Sequence, residues 1–535
     1  MPEKSRRSLG HAALVAAGIF LSRVAGLVRE RVFAHYLGNS DAAGAFRAAL
    51  RIPNFLQNLF GEGVLSASFI PVYSKLLADK EIEKAGRVAG VVASVLALWV
   101  SAVVLVGVLL TPWFVDAVAP GFTGPLRELT IALVRILFPG TGLLVLSAWC
   151  LGVLNSHRKF FVSYVAPVAW NAVMIGTMIG FGRAGWAGAD LAIALAWGTV
   201  AGSALQLAVQ IPPVLRSATG LRFALDTALE PVREVFHNLG PVVVSRGVVQ
   251  LSAYIDGMIA SYLGAVAVSG LGYAQTVYLL PISLFGMSVA AAELPEMSGA
   301  TGSADEIHAR LRTRLIAGQR QIAVFVIPSV AALLVIGRYL VSGLFQTGKF
   351  GETDTLYVWY ILLGSTIGLL AATWGRLFSS AFYALRDTRT PLRFAVLRVI
   401  LTAVLGVLFA FPLRPLLVAL LHDVLGLPRA SDELALGAVG LTASAGIAAW
   451  LEFLLLKRAL ERRVGSATVP VRFQAWLWAM ALTSGAAAVG LARVWTPHSP
   501  ALRAAYVAGC FGSLYLALAA LSGVPELRRM TARHD

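Results

Sequence analysis

Residues 20–35 read FLSRVAGLVRERVFAH. The stretch continues the apolar run AALVAAGIF and has the look of a membrane span, yet it holds Arg23, Arg29, Glu30 and Arg31. Each charge near a bilayer centre costs about 2.5–3.5 kcal/mol on insertion scales. A chain that places four of them there offsets that cost by pairing, by water or by a bound counter-charge.

The rest of the chain supports a membrane reading of that stretch. Of 535 residues, 58% are hydrophobic and only 13% are charged, against about 25% charged in a soluble domain. The apolar runs are continuous rather than alternating, which excludes a β-barrel. The expected fold is therefore all-α, polytopic and membrane-embedded. A span takes about 20 apolar residues, so the length allows about fourteen. They are read at 10–36, 43–71, 86–111, 127–153, 160–181, 187–213, 236–263, 269–294, 316–341, 355–383, 391–412, 434–457, 472–495 and 502–523. The basic N-terminus runs straight into charged helix without a small-residue cleavage site, so it reads as a retained first span.

The connections alternate in charge. MPEKSRR, YSKLLADKEIEKAGR, SHRKF, the 214–235 segment, HARLRTR, LRDTRTPLR, KRALERR and ELRRMTARHD carry most of the Lys and Arg. The intervening loops carry few. This places both termini in the cytoplasm and assigns the net charge of +16 to membrane topology rather than to nucleic acid. In the longest outer loop, PLLVALLHDVLGL (residues 416–427 and the proline before them) reads as a short helix on the membrane surface. Two bundles are expected: an N-lobe over 1–213, a cytoplasmic linker over 214–235 and a C-lobe over 236–457, with the last two spans and a cytoplasmic tail over 458–535.

Charge recurs inside the spans. In GAFRAALRIPNFLQNLFGEG, a helical projection puts Arg47, Arg51, Asn54, Asn58 and Glu62 on one stripe. Pro53 removes a helical hydrogen bond from that span. The seventh span holds Arg246, Gln250 and Asp256, and Arg135 and Arg376 are further basic residues inside spans. Internal Arg–Glu struts are one explanation. The arginines outnumber Glu30, Glu62 and Asp256, however, and a dry interior does not hold surplus cations cheaply. A central, water-filled, cationic cavity for an anionic substrate accounts for the set. Arg suits phosphate because its planar fork binds two oxygens and stays charged. The eight His residues and Cys150 and Cys510 form no metal spacing, so no cofactor, metal site or enzyme activity is expected. Asp256 is a candidate ligand for a transported cation, or a partner for Arg246.

SRVAGLVRE and AFRAALRIPNFLQNLFGEGVLSASFIPVYSK resemble the MurJ (MviN) family of lipid II flippases, as do LNSHRKFFVSYVAPVAWNAVMI, LFQTGKF, AFYALRDTRTPLRFAV and VGLTASAGIAAWLEFLLLKR. The resemblance covers nearly the whole chain in order. It implies fourteen helices in two lobes around a central cavity, with a lateral groove for the lipid tail at the last two helices. It also implies a place in the bacterial cytoplasmic membrane and transfer of undecaprenyl-diphosphate-linked disaccharide peptide to the outer leaflet by alternating access. Membrane lipids and cell-wall synthesis proteins are candidate partners. By position, the resemblance gives Arg23, Arg29 and Arg51 diphosphate contacts, Glu30 and Glu62 acidic cavity positions, and Arg376 a basic position in the tenth span. Gly44 stands where the family often has an acidic residue, with Asp41 as its expected substitute. Thr276 stands where a basic residue is common, and Arg246 is expected to supply that charge. Competing readings are a flippase for another lipid-linked polysaccharide, a drug/cation antiporter of the same superfamily, and a non-transporting scaffold. The arginine surplus disfavours the antiporter, whose cationic drugs call for acidic residues.

Overall fold

The computed structural model of the chain describes residues 3–299, 303–424, 435–524 and 526. The side chains of Glu62 and Arg246, most of the outer loop after Val424 and most of the basic tail lie outside the description. The described residues are helical throughout, joined by short turns, with no strand beyond a single bridge between Thr347 and Phe350.

Two compact units emerge. Unit 1 comprises 1–269 with 347–349, and unit 2 comprises 270–346 with 350–535. Unit 1 contains α1 Glu3–Leu37, α2 Asp41–Phe60, α3 Glu62–Ala78, α4 Ile82–Leu109, α5 Thr111–Val118, α6 Gly124–Ser156, α7 Phe160–Arg183, α8 Gly188–Ser217 and α9 Glu230–Tyr262. α10 Ala265–Pro281 begins in unit 1 and continues through a π-helical segment, Ile282–Gly286, into α11 Met287–Ser298 of unit 2. Unit 2 then holds α12 Ala304–Val335, α13 Gly337–Phe345, α14 Glu352–Ala384, α15 Arg389–Ala410, α16 Arg414–Ala419, α17 Gly437–Val464, α18 Val471–Val494 and α19 Pro500–Leu521.

Each unit has a central helix. In unit 1, α6 packs against α2, α3, α4 and α8, while α1 and α8 flank α7. In unit 2, α14 packs against α11, α12, α13 and α17 and is the most deeply buried helix, whereas α15 packs on α17 and buries only Pro391, Gly406 and Ala410. An exposed apolar helix such as α15, with Ile400 and Val404 uncovered, is stable where hydrocarbon covers it.

Among the described residues, eleven helical stretches are long and apolar enough to cross a membrane. They match eleven of the expected spans. The other three expected spans fall on α1, on α2 with α3, and on α9, which carry Arg29, Glu30, Arg47, Arg51 and Asp256. The second span is two helices, not one. Gly61 interrupts it with φ −83° and ψ −155°, and a Cβ there would lie 2.2 Å from the Gln57 carbonyl. The helical run is broken at that residue, and Glu62 opens α3. Pro53, by contrast, does not end α2, which runs through it to Phe60.

The contact boundary falls at Ser269/Gly270 instead of in the 214–235 segment. α9 packs on α2, α3, α4 and α5 and so joins unit 1. The segment expected to lie as a surface helix begins as α16 and continues as a π-helical stretch, Leu420–Val424, and its remainder lies outside the described residues. Before α15, the Asp387 carboxylate accepts from the Thr390 backbone N–H at 3.0 Å, the Thr390 hydroxyl at 2.7 Å and Arg463 at 2.8 Å. These contacts pull it down to about 2 and anchor the turn after α14 to the end of α17.

Candidate functional site

The charged residues of unit 1 meet at Glu30. α1 ends at Leu37, and the turn to α2 passes through Gly38 at φ +63°, the left-handed region that glycine occupies without strain. Ser40 then caps α2 by accepting the Ala43 N–H at 3.3 Å. The reversal brings Arg47 back to Glu30. Arg47 Nη2 donates to Glu30 Oε2 at 2.7 Å, and Arg29 Nη2 donates to Glu30 Oε1 at 2.9 Å. Arg29 Nη1 also donates to Asn171 Oδ1 of α7 at 3.2 Å. Each guanidinium lies over an aromatic ring, Arg29 at 5.0 Å from Trp170 and Arg47 at 4.8 Å from Phe33. Planar cations stacked this way keep their charge while losing water.

Two guanidinium groups thus share one carboxylate, so the cluster is cationic by about one charge. All three side chains are 12–20% exposed, so this charge is only partly solvated. Arg51 lies one helical turn beyond Arg47. Its guanidinium lies against Gly257 of α9, where a Cβ would come within 2.1 Å of Nη1. Its carbonyl accepts the Tyr254 hydroxyl at 2.7 Å, and Asp256 interacts with it electrostatically. Asn54 is half-buried on the next turn of α2.

The other expected site residues scatter more widely. Arg23 is exposed on α1, two turns before Glu30. Asp41 is exposed in the first turn of α2, where its charge suits the helix N-terminus. Gly44 has a packing reason of its own, since a Cβ there would lie 2.2 Å from the Ala265 carbonyl. Arg246 belongs to α9, but its side chain is outside the description. Thr276 donates its hydroxyl to the Gly272 carbonyl of its own helix at 3.1 Å. In unit 2, Arg376 is exposed on α14. Both Arg376 and Arg398 of α15 act electrostatically on Tyr278, and Arg398 is paired with Glu452 at 3.0 Å.

Sequence reading missed Trp170, Asn171, Arg398 and Glu452 as parts of these clusters. Asn171 is one uncharged polar residue in an apolar span, so no spacing marks it. Arg398 and Glu452 are 54 residues apart and meet only because α15 packs on α17.

A multi-pass helical bundle with a cationic cluster on α1 and α2 is of the transporter class. The fold matches a solved structure described as "Lipid II flippase MurJ, inward closed conformation", with TM-score 0.72 and 21% identity over 95% of this chain and 98% of that one. It also matches an inward-facing multidrug-resistance MATE transporter of the MOP superfamily, with TM-score 0.61 and 14% identity over 84% of this chain and 96% of that one. The family model "Lipid II flippase MurJ" matches residues 33–509, and the chain belongs to that family. Among its relatives are a probable lipid II flippase MurJ of Rhizobium meliloti (strain 1021), 32% identical over 72% of each chain, and the lipid II flippase MurJ of Burkholderia cenocepacia, 30% identical over 85% of this chain and 84% of the relative.

Proposed function

We propose that this protein translocates lipid II, the lipid-linked peptidoglycan precursor, from the inner to the outer leaflet of the bacterial cytoplasmic membrane by alternating access. The observation that carries the reading is the sharing of Glu30 by Arg29 and Arg47, with Arg51 one turn away. A membrane helix bundle that keeps an excess guanidinium charge favours an anionic ligand. A diphosphate presents several oxygens to planar forks, and charge-assisted bonds contribute about 1.5–3 kcal/mol each.

In this reading the precursor's diphosphate binds Arg29 and Arg51, with Arg23 as an outer contact. Glu30 holds Arg29 and Arg47 in place while the site is empty. Arg246 supplies the charge that Thr276 lacks, and Arg376 is a basic position of unit 2. α1, α2 with α3, and α9 complete a set of fourteen spans with both termini in the cytoplasm. The polar stretches of these three helices suit water and ligand better than lipid.

The test is complementation of a bacterial strain depleted of its own lipid II flippase, at matched membrane levels. Wild type is expected to restore growth, and Arg29→Ala and Arg51→Ala are expected to fail. Failure of correctly inserted wild type would assign the chain to another lipid-linked glycan. Rescue by both variants would sever the link between these arginines and the diphosphate.

A further inference from the structure

Within unit 1, helices α2, α4, α5, α6 and α9 line a half-open cavity of about 440 Å³. Its wall includes Phe55 and Leu56 from α2, Val103 from α4, Ala117 from α5, Phe138 from α6 and Met258 from α9. The volume lies within the range of about 300–1,000 Å³ typical of small-ligand pockets. Gly107 helps to shape it. A Cβ at that position would lie 2.4 Å from the Phe138 ring, so the glycine lets the ring rest against the backbone of α4.

The wall is almost wholly apolar. Its one side-chain hydroxyl, that of Tyr254, is committed to the Arg51 carbonyl at 2.7 Å, and the Tyr254 ring stands edge-on to Phe55 at 5.5 Å between centroids. An ordered water needs two to four polar partners, which this wall does not offer. Val106, Phe114 and Met258 are 49%, 38% and 37% exposed, so the hollow has an open mouth between apolar side chains. Hydrocarbon suits such a space.

The position of the hollow narrows the choice of hydrocarbon. Tyr254 and Met258 line it, while Gly257 between them lies against the Arg51 guanidinium. A cation and an apolar cavity therefore share one turn of α9. Arg51 is near the middle of the twenty-residue α2. A phospholipid keeps its phosphate in the headgroup layer, outside the roughly 30 Å hydrocarbon core. A lipid whose diphosphate is drawn to a mid-helix cation would bring the first units of its chain to this opening.

We propose that this cavity binds the isoprenoid chain of the substrate while Arg51 holds the diphosphate. The inference rests on the proposed function and assigns the chain a site in unit 1, apart from the groove expected at the last two spans.

The test uses the full chain in phospholipid nanodiscs and two probes, a long-chain polyprenyl diphosphate and inorganic diphosphate. Ala117→Trp and Val103→Phe fill the hollow from two different helices. Each is expected to weaken polyprenyl diphosphate binding about tenfold, through lost burial of the chain, and to leave inorganic diphosphate binding unchanged. That unchanged binding also verifies folding. Arg51→Ala is expected to weaken both probes. If both filling variants bind the long-chain probe as wild type does while Arg51→Ala loses both, the cavity assignment falls and the proposed function stands. If Arg51→Ala changes neither, the diphosphate reading itself falls. Displacement of the long-chain probe by excess phosphatidylglycerol would identify a bilayer lipid as the occupant and overturn the proposal.

Discussion

Glu30 is the residue on which the charge of unit 1 depends. It accepts from Arg29 and Arg47 on separate oxygens, and its loss leaves both guanidiniums facing each other in a poorly solvated place. Removing one partner of a buried pair costs about 3–5 kcal/mol. Glu30→Gln is therefore expected to lower thermal stability by about 3 kcal/mol in a detergent melt, and Glu30→Asp to lose less. A melt unchanged by Glu30→Gln would show that the arginines are neutralised by something other than this carboxylate. The charged members of the cluster were legible in the sequence, because Arg29, Glu30 and Arg47 stand out against apolar neighbours. Trp170 and Asn171 were not. A tryptophan in a membrane helix looks the same whether it faces lipid or a guanidinium, and only the packing of α7 on α1 decides. The break at Gly61 was not legible either, because a projection assumes unbroken helical phase from Arg47 to Glu62.

Helix ends show how sequence and topology compete. α3, α6 and α14 end in the same way. Lys80, Arg158 and Arg386 take φ of +63°, +59° and +59°, and the N–H of the next residue bonds the carbonyl five residues back, as with Lys159 to Leu154 at 2.8 Å. That position usually belongs to glycine, because a left-handed conformation costs other residues about 1–2 kcal/mol. Gly185 fills it after α7, in a loop read as external. The three strained residues are all basic and all lie in loops read as cytoplasmic, where positive charge fixes orientation. Arg158→Gly is thus expected to raise stability by about 1 kcal/mol in the same melt. Unchanged or lower stability would mean that the arginine makes compensating contacts.

At the scale of the molecule, hydropathy and charge alternation were enough to read a helical membrane protein, and helix covers all or most of every expected span. The division between units was less legible, because the linker composition at 214–235 says nothing of which neighbours α9 will choose. The apolar cavity was invisible, since residues lining a hollow and residues facing lipid have the same chemistry. The topology has a direct check. Single cysteines at Ser466, between α17 and α18, and at Ser499, before α19, are introduced into a background lacking Cys150 and Cys510. A membrane-impermeant thiol reagent is expected to label Ser499→Cys in intact spheroplasts and Ser466→Cys only after permeabilisation. The reverse pattern would invert the orientation and place the termini outside.

The π-helical segment Ile282–Gly286 gives the eighth span a dependence on residue count rather than residue kind. A π turn holds one residue more than an α turn, and one residue corresponds to about 100° of helical rotation. Everything after it is set by that extra residue. In α11, Glu296 meets Arg314 of α12 at 2.6 Å, and Glu293 approaches the same arginine at 3.9 Å. Deleting any one of the five would turn an ordinary helix out of the segment and swing both carboxylates away from α12. Substitutions along this span alter a surface, whereas a lost codon would re-aim every side chain downstream of it as far as Ser298.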